Sequence, residues 1–369
     1  MGLSIGIVGL PNVGKSTLFN ALTHAGAPVA SFPFTTIEPN EGVVTVPDPR
    51  LARLAEIVHP ERVVPTTIQF VDIAGLVKGS SKGEGLGNQF LGHIRNVDAM
   101  VLVVRCFTDA NVAHVDGTVD PRRDIETLFI ELALADLATV VRRHDKVQQA
   151  LRSGDKRYQA ELAVLERLKT HLNAGRLART LGLHQEAREL IKGLHLLTDK
   201  PLLFVANVGE DQLPAAASQR LADTAIVEAM AESVGAEALA ICAKLEDELV
   251  ALAPEEAQAY LADCGVSEPG LARLIKAAYR LLDLATFFTT TGEKEVHAWT
   301  VVKGTRAPQA AGKVHTDMER GFIRAEVIGF PELDKLGSLH TAREKGLIRL
   351  EGKEYAVQDG DVIHFRFSV

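Results

Sequence analysis

Eight consecutive residues, Gly9-Leu10-Pro11-Asn12-Val13-Gly14-Lys15-Ser16, put two glycines, a lysine and a hydroxyl at the spacing of a phosphate-wrapping loop. An apolar run precedes them and a helix-forming run follows, which is the context such a loop needs. The glycines let the backbone close around oxygen atoms. The first turn of the helix aims N–H groups and its positive dipole end at an anion. In that arrangement Asn12, Val13, Gly14, Lys15, Ser16 and Thr17 cradle a triphosphate, Lys15 bridges its β- and γ-phosphates, and Ser16 ligates Mg2+. Downstream, Val71-Asp72-Ile73-Ala74-Gly75 reads as a strand ending in an aspartate and a sharp turn. Asp72 then holds a water of the metal's shell, and the stretch 78–87, with four glycines, reads as a loop that senses the nucleotide. Upstream, Phe32-Pro33-Phe34-Thr35-Thr36 offers Thr36 as a further metal ligand. Surface threonines with no metal role are the competing reading.

Two departures from the usual pattern bear on the base and on the reaction. A guanine site carries Asn-Lys-x-Asp, whose aspartate accepts from N1–H and the 2-amino group together. Here the corresponding residues are Asn207-Val208-Gly209-Glu210. The carboxylate is displaced by a methylene and the lysine is missing, so guanine loses its bidentate partner, while adenine needs none. ATP is therefore the expected nucleotide, with Asn207, Val208 and Glu210 near the base and Cys242-Ala243-Lys244, Ala243 at its centre, closing the pocket through backbone groups. The second departure is Leu76, which stands where related hydrolases carry a water-orienting Gln and which cannot hydrogen-bond. His114, in the loop 108–120, is the candidate to orient or deprotonate the water, joining Lys15 as an expected catalytic residue. A loop histidine with no part in the reaction is the alternative.

These groups need a scaffold that brings distant loops to one edge. The segments 3–9, 67–72, 100–106, 202–207 and 238–242 are short and rich in Val, Ile and Leu, so they read as buried strands. Helical stretches separate them. The expected fold is α/β, a P-loop NTPase (G-domain-like) with a mostly parallel, doubly wound sheet and ligand at the strands' C-terminal ends. Between the third and fourth strands, 126–151 and 159–172 carry apolar residues at three- and four-residue spacing around Ser153-Gly154-Asp155, which predicts an antiparallel helical hairpin. After about Leu284 the chain turns β-rich, at 296–302, 322–327, 355–357 and 362–367, as a small β-grasp-like domain would. The expected boundaries are 1–283 for the nucleotide domain, 121–200 for a coiled-coil insertion within it, and 284–367 for the last domain.

Composition narrows the setting. The 369 residues carry a formal charge of −8, against a protein that coats nucleic acid by bulk electrostatics. The charge is uneven, however: 121–200 holds 15 Lys and Arg against 11 Asp and Glu, whereas 285–369 holds 12 of each. A basic arm on an acidic body can meet a phosphate backbone, and a solvated helix face accounts for it equally. No apolar run approaches a membrane span and the first strand begins by Ile5, so a cytoplasmic protein without a signal peptide or membrane contact is expected. Cys106, Cys242 and Cys264 have neither disulfide nor zinc spacing.

Together, GLPNVGKST, FPFTTIEPN, DIAGLVKGSSKGEGLGNQFL, ELALADL, NVGE and KVHTDMERGFIRAE resemble the Obg-like ATPase family, known as YchF, among the translation-factor-related GTPases. The resemblance spans nearly the whole chain, and the last segment is similar to the TGS domain of translation-associated proteins. It implies an ATP-preferring hydrolase with a hydrophobic residue in place of the catalytic Gln, a coiled-coil insertion, and association with ribosomes and stress responses. It also implies an ATP cradle from Asn12 to Thr17, Mg2+ on Ser16 and Thr36, Val208 near the adenine, and His114 in the catalytic loop. Asn12 implies K+ as a second activating cation. An ATP-driven switch acting on a ribosome or another RNA–protein partner, expected to be slow alone and a monomer, is the leading reading. A docking module that keeps ATP as a structural ligand and a GTPase are the two others.

Overall fold

A computed structural model describes residues 3–25, 41–73, 75, 86–213, 221–290 and 294–368, with the backbone alone at 25 and 86–90. Its contacts form two compact units, one of Met1–Val44 with Gln69–Leu274 and one of Thr45–Ile68 with Ile275–Val369.

The first unit is built on a six-stranded sheet in the order β2 (Glu41–Thr45), β4 (Thr67–Asp72), β1 (Ser4–Val8), β5 (Ala99–Arg105), β6 (Leu202–Asn207) and β7 (Glu237–Ile241). From β4 to β7 every pairing is parallel. β5 and β6 are buried along their whole length, which is why both read as unbroken apolar runs. The five expected strands lie within a residue or two of their predicted places. β2, an alternating edge strand, carries too weak a pattern to have been foreseen. At the C-terminal ends of β1, β4, β5, β6 and β7 the chain delivers the Gly9–Ser16 loop, Asp72, the loop 106–120, Val208 and Cys242 to one edge.

The helical arm starts earlier than its apolar spacing suggests. α4 (Pro121–Arg152) is capped by Asp120, whose carboxylate accepts from the Arg123 N–H, and Pro121 takes the first helical position. It turns through Gly154 at φ 98° and returns as α5 (Gln159–Asn173). Val140 and Val147 pack against Leu165, Leu168 and Leu172, and Arg143 forks onto Glu161 at 2.6 and 2.8 Å. At the base of the arm Asp136 is fully buried. It accepts from the Leu197 N–H at 2.9 Å, the Thr198 N–H at 2.8 Å and the Thr198 hydroxyl at 2.6 Å. Burial raises its pKa, and these donors act against that shift.

The second unit is a mixed sheet in the order β11 (Arg349–Glu351), β10 (Phe322–Gly329), β12 (Asp361–Phe367), β8 (Leu284–Thr290), β9 (Glu295–Val302) and β3 (Arg62–Val64). β12 and β8 run parallel, and helix Ala307–Val314 covers Phe287, Phe322 and Phe365 with three alanines, small enough for close approach. The strand expectations change here. The stretch 355–357 makes only the isolated bridge Arg306–Ala356, while β8 and β11 were not foreseen.

The expected linear boundary also differs from the observed division. Residues 45–68 pack with the C-terminal unit: β3 pairs with β9, Leu51 and Leu54 of α2 (Pro49–Val58) join Phe288, Val296 and Ile328, and Arg50 binds Asp359 at 2.7 Å. Such pairing over a long sequence separation leaves no periodic signal.

Asp136→Ala strips three buried donors of one acceptor, at a cost on the order of 3 kcal/mol. Hydrogen exchange provides the check: the Leu197 and Thr198 amides should lose protection while those of β6 keep theirs.

Candidate active site

The Gly9–Ser16 loop follows β1 directly and α1 (Lys15–Ala25) begins inside it. Gly14 has φ 95°, and a Cβ there would stand 2.2 Å from Asn207 Nδ2; one on Gly9 would stand 2.5 Å from the Val103 carbonyl. Both positions therefore need glycine. Asn12 adopts φ 61°, the left-handed region that Asn tolerates best among residues with a Cβ. Val13 is buried beneath the loop, and Thr17 and Gly14 face the cavity described below.

Lys15 is 7% exposed and donates to the Leu10 carbonyl at 2.7 Å. Burial pulls its ammonium down to about 8, with the charge of Asp72 opposing the shift. Ser16 Oγ donates to Asp72 Oδ2 at 2.8 Å. The other carboxylate oxygen, Oδ1, is buried and has no hydrogen-bond partner among the described residues. A hydroxyl and an orphaned carboxylate oxygen at a helix N-terminus are hard oxygen donors, and they fit Mg2+ or its bound water. Thr36, Leu76 and the stretch 78–85 lie outside the described residues.

Asn207 joins the phosphate loop to the base side. Its Nδ2 donates to the Val13 carbonyl at 2.8 Å and its Oδ1 accepts from the Ala243 N–H at 3.0 Å. Val208 N–H is fixed to the Ile241 carbonyl at 2.9 Å. Around these groups opens a cavity of about 690 Å3, lined by Gly14, Thr17, Phe107, Asp109, Asn207, Val208, Glu210, Ala243 and Cys264, among others. That volume and lining suit a purine nucleoside. All eleven described residues assigned to nucleotide or metal binding therefore belong to the first unit, at the sheet edge where the loops meet.

His114 is placed differently from its expected role. Its side chain is 3% exposed, Nε2 lies 2.9 Å from Asp124 Oδ2, and Nδ1 accepts from the Asp116 N–H at 3.1 Å. With Nδ1 occupied as an acceptor, Nε2 carries the proton and donates to Asp124. Both nitrogens are committed, and Nδ1 has to leave the Asp116 N–H before it can take a proton from water. Arg123, 3.1 Å from Asp124 Oδ1 and 3.5 Å from Asp116 Oδ2, supplies the positive charge of this cluster.

Two contributors escaped the sequence reading. Arg105 is 2% exposed and donates to the carbonyls of Phe107, Asp109, Val112 and Ala113, with its guanidinium 4.5 Å above the Phe107 ring. It shapes the loop leading to His114, and the Asn12 amide reaches the same loop at the Ala113 carbonyl, 3.2 Å away. The signal was an arginine closing a strand of otherwise apolar residues. The other is Tyr260, whose hydroxyl donates to Glu210 Oε1 from a helix that carries no motif.

Comparison with known proteins gives the following. Residues 4–132 match the family MMR_HSR1, described as 50S ribosome-binding GTPase, and residues 284–368 match YchF-GTPase_C, described as a protein of unknown function (DUF933). The chain is 53% identical to the Ribosome-binding ATPase YchF of Bacillus subtilis and 52% identical to that of Escherichia coli O157:H7, each over 100% of both chains. Among solved structures, the Schizosaccharomyces pombe YchF GTPase superposes with a TM-score of 0.88 at 36% identity, covering 99% of this chain and 98% of that one.

A lysine held near 8 would make binding proton-linked if Lys15 meets the phosphates, whose oxygens would restore its charge. Nucleotide-free protein should take up a proton on binding ATP at about pH 9, and its affinity should fall as pH rises through about 8. Calorimetry in two buffers of unlike ionisation enthalpy reads the uptake; equal heats would place the Lys15 titration elsewhere. Without nucleotide, the unfolded chain binds more protons between about 8 and 10.5, so this group adds stability as pH rises across that window.

Proposed function

The chain belongs to the YchF family, and from that premise we propose that it is a Mg2+-dependent P-loop ATPase that binds ATP in preference to GTP and hydrolyses it slowly as a switch. The observation that carries this reading is the joint held by Asn207, which sets the phosphate loop beside a base pocket lacking the Asn-Lys-x-Asp pair. The backbone of Asn12 to Thr17 wraps the phosphates, and Lys15 exchanges the Leu10 carbonyl for the β- and γ-phosphate oxygens. Ser16 and Asp72, with Thr36, would hold Mg2+, which when bound offsets the charge developing on those oxygens. Val208 and Ala243 present backbone groups to the adenine edge, while Glu210 offers a displaced carboxylate that guanine cannot grip with both of its donors.

Hydrolysis needs a group to orient water, since Leu76 has none to offer. We assign that role to His114, whose Nδ1 is freed from the Asp116 N–H when the loop 107–114 shifts. Asn12 couples the phosphate loop to that shift through Ala113, and it is also the residue that would bring K+ beside the phosphates. The ribosome is the proposed partner, because relatives at about half identity carry it in their names. The basic helical arm and the β-grasp-like unit are the proposed contact regions, with the boundaries 121–200 and 284–367. Among the described residues no helix is long and apolar enough to cross a membrane. We propose a cytoplasmic monomer.

The commitment of both His114 nitrogens favours one second reading, a docking module that holds ATP and turns it over only incidentally. Kinetics separate the two. On the ATPase reading His114→Ala should lower kcat by about 100-fold while ATP affinity stays within about twofold; an unchanged kcat would remove His114 from the mechanism. Ribosome release by this variant should stall if hydrolysis is the switch, and release at the wild-type rate would favour the docking module. Turnover equal in sodium and potassium salts would count against the K+ proposal. Calorimetry with non-hydrolysable analogues tests the base: tighter binding of the GTP analogue would overturn the assignment to ATP.

A further inference from the structure

The helix Pro254–Asp263 carries Asp263 and, just beyond its end, Cys264 along the wall of the base cavity. One turn earlier Tyr260, 37% exposed, gives its hydroxyl to Glu210 Oε1. Glu210 is held from the other side as well. It opens the short 3-10 turn Glu210–Gln212, and the Gln212 side chain accepts from the Gly209 N–H at 2.6 Å. The turn's backbone and one carboxylate oxygen are thus both engaged, and Glu210 lines the base cavity with that oxygen already serving a phenol. The bond to Glu210 pushes that phenol up to about 12, so Tyr260 remains a donor throughout the neutral range.

The two purines ask different things of such a carboxylate. Guanine presents N1–H and a 2-amino group side by side and needs both oxygens in one plane. Adenine presents an acceptor at N1 and makes no such demand. We propose that Tyr260 is a positioning residue for base selection: by pinning Glu210 Oε1, it keeps the carboxylate from turning both oxygens onto guanine. The methylene that distinguishes Glu from Asp leaves the carboxylate reach enough to adapt, and the tyrosine removes that freedom. Exclusion of GTP then comes from a phenol that need not touch the nucleotide. The inference rests on reading the cavity as the ATP site.

The test is calorimetric titration of the full-length wild type, Tyr260→Phe, Glu210→Ala and the double variant with non-hydrolysable ATP and GTP analogues in Mg2+ buffer. Tyr260→Phe keeps the ring and removes only the donor. Expected is a narrowing of the ATP-to-GTP affinity ratio by about tenfold, through tighter GTP binding, with ATP affinity held within about twofold. In the Glu210→Ala background the same change should leave the ratio unmoved. An unchanged ratio in Tyr260→Phe, an equal weakening of both nucleotides, or the same shift persisting without Glu210 would each overturn the role of Tyr260. No preference for ATP in the wild type would overturn the base reading itself, and this inference with it.

Discussion

Asn207 carries the constraint from which the rest of the binding edge follows. Its side-chain amide lies at the end of β6, 4% exposed, and must donate to Val13 and accept from Ala243 at the same time. An amide does both from two separate atoms. Aspartate would turn a second acceptor on the Val13 carbonyl, and leucine would leave a buried C=O and a buried N–H unpaired. The requirement for glycine at position 14 is the same constraint seen from the other side, since the Asn207 nitrogen occupies the space of a Cβ. Residues 194 positions apart are thereby fused into one surface, so the phosphate loop and the base pocket cannot drift independently.

Around that joint, most of the positioning is done by main chain. Arg105 gathers four carbonyls of the loop after β5, and its one contact there that depends on a side chain is the stacking on the Phe107 ring. A guanidinium suits this work because its planar fork offers five donors and stays charged when buried. The loop can vary in sequence while its path holds, and His114 inherits a defined starting place at its end. The Asp120 cap and Pro121 then start α4 at once, and Asp124 in its first turn holds the His114 ring.

What could be read in advance follows physical range. The five central strands, the phosphate loop, Asp72 and the helical hairpin were legible because each rests on local pattern: unbroken apolar runs, glycine spacing and helical periodicity. β2 and β11 were not, being short and poorly buried, and β8 was hidden at the point where composition changes. The site followed the same rule. Lys15, Ser16, Asn207 and Val208 sit in motifs, whereas Arg105 and Tyr260 act through partners brought near only by the fold. His114 was recognisable as a histidine in a useful loop, but its embrace by Asp124 depends on how α4 begins. Residues 45–68 were assigned to the first domain by sequence continuity, and no local signal reveals that Leu51 and Leu54 complete a core made largely of residues beyond 284.

That last arrangement has a bearing on how the chain comes into being. Arg50 meets Asp359 across 309 positions, and β3 finds β9 more than 230 residues downstream. On a translating ribosome α2 and β3 emerge well before the strands and the carboxylate they pack against. The segment must wait, with its apolar face uncovered, through synthesis of the entire nucleotide unit and the arm. Contacts of such separation are costly to close and slow to form. Completion of the second unit therefore waits for β12, and a product truncated before that strand leaves Leu51 and Leu54 with an incomplete core to join.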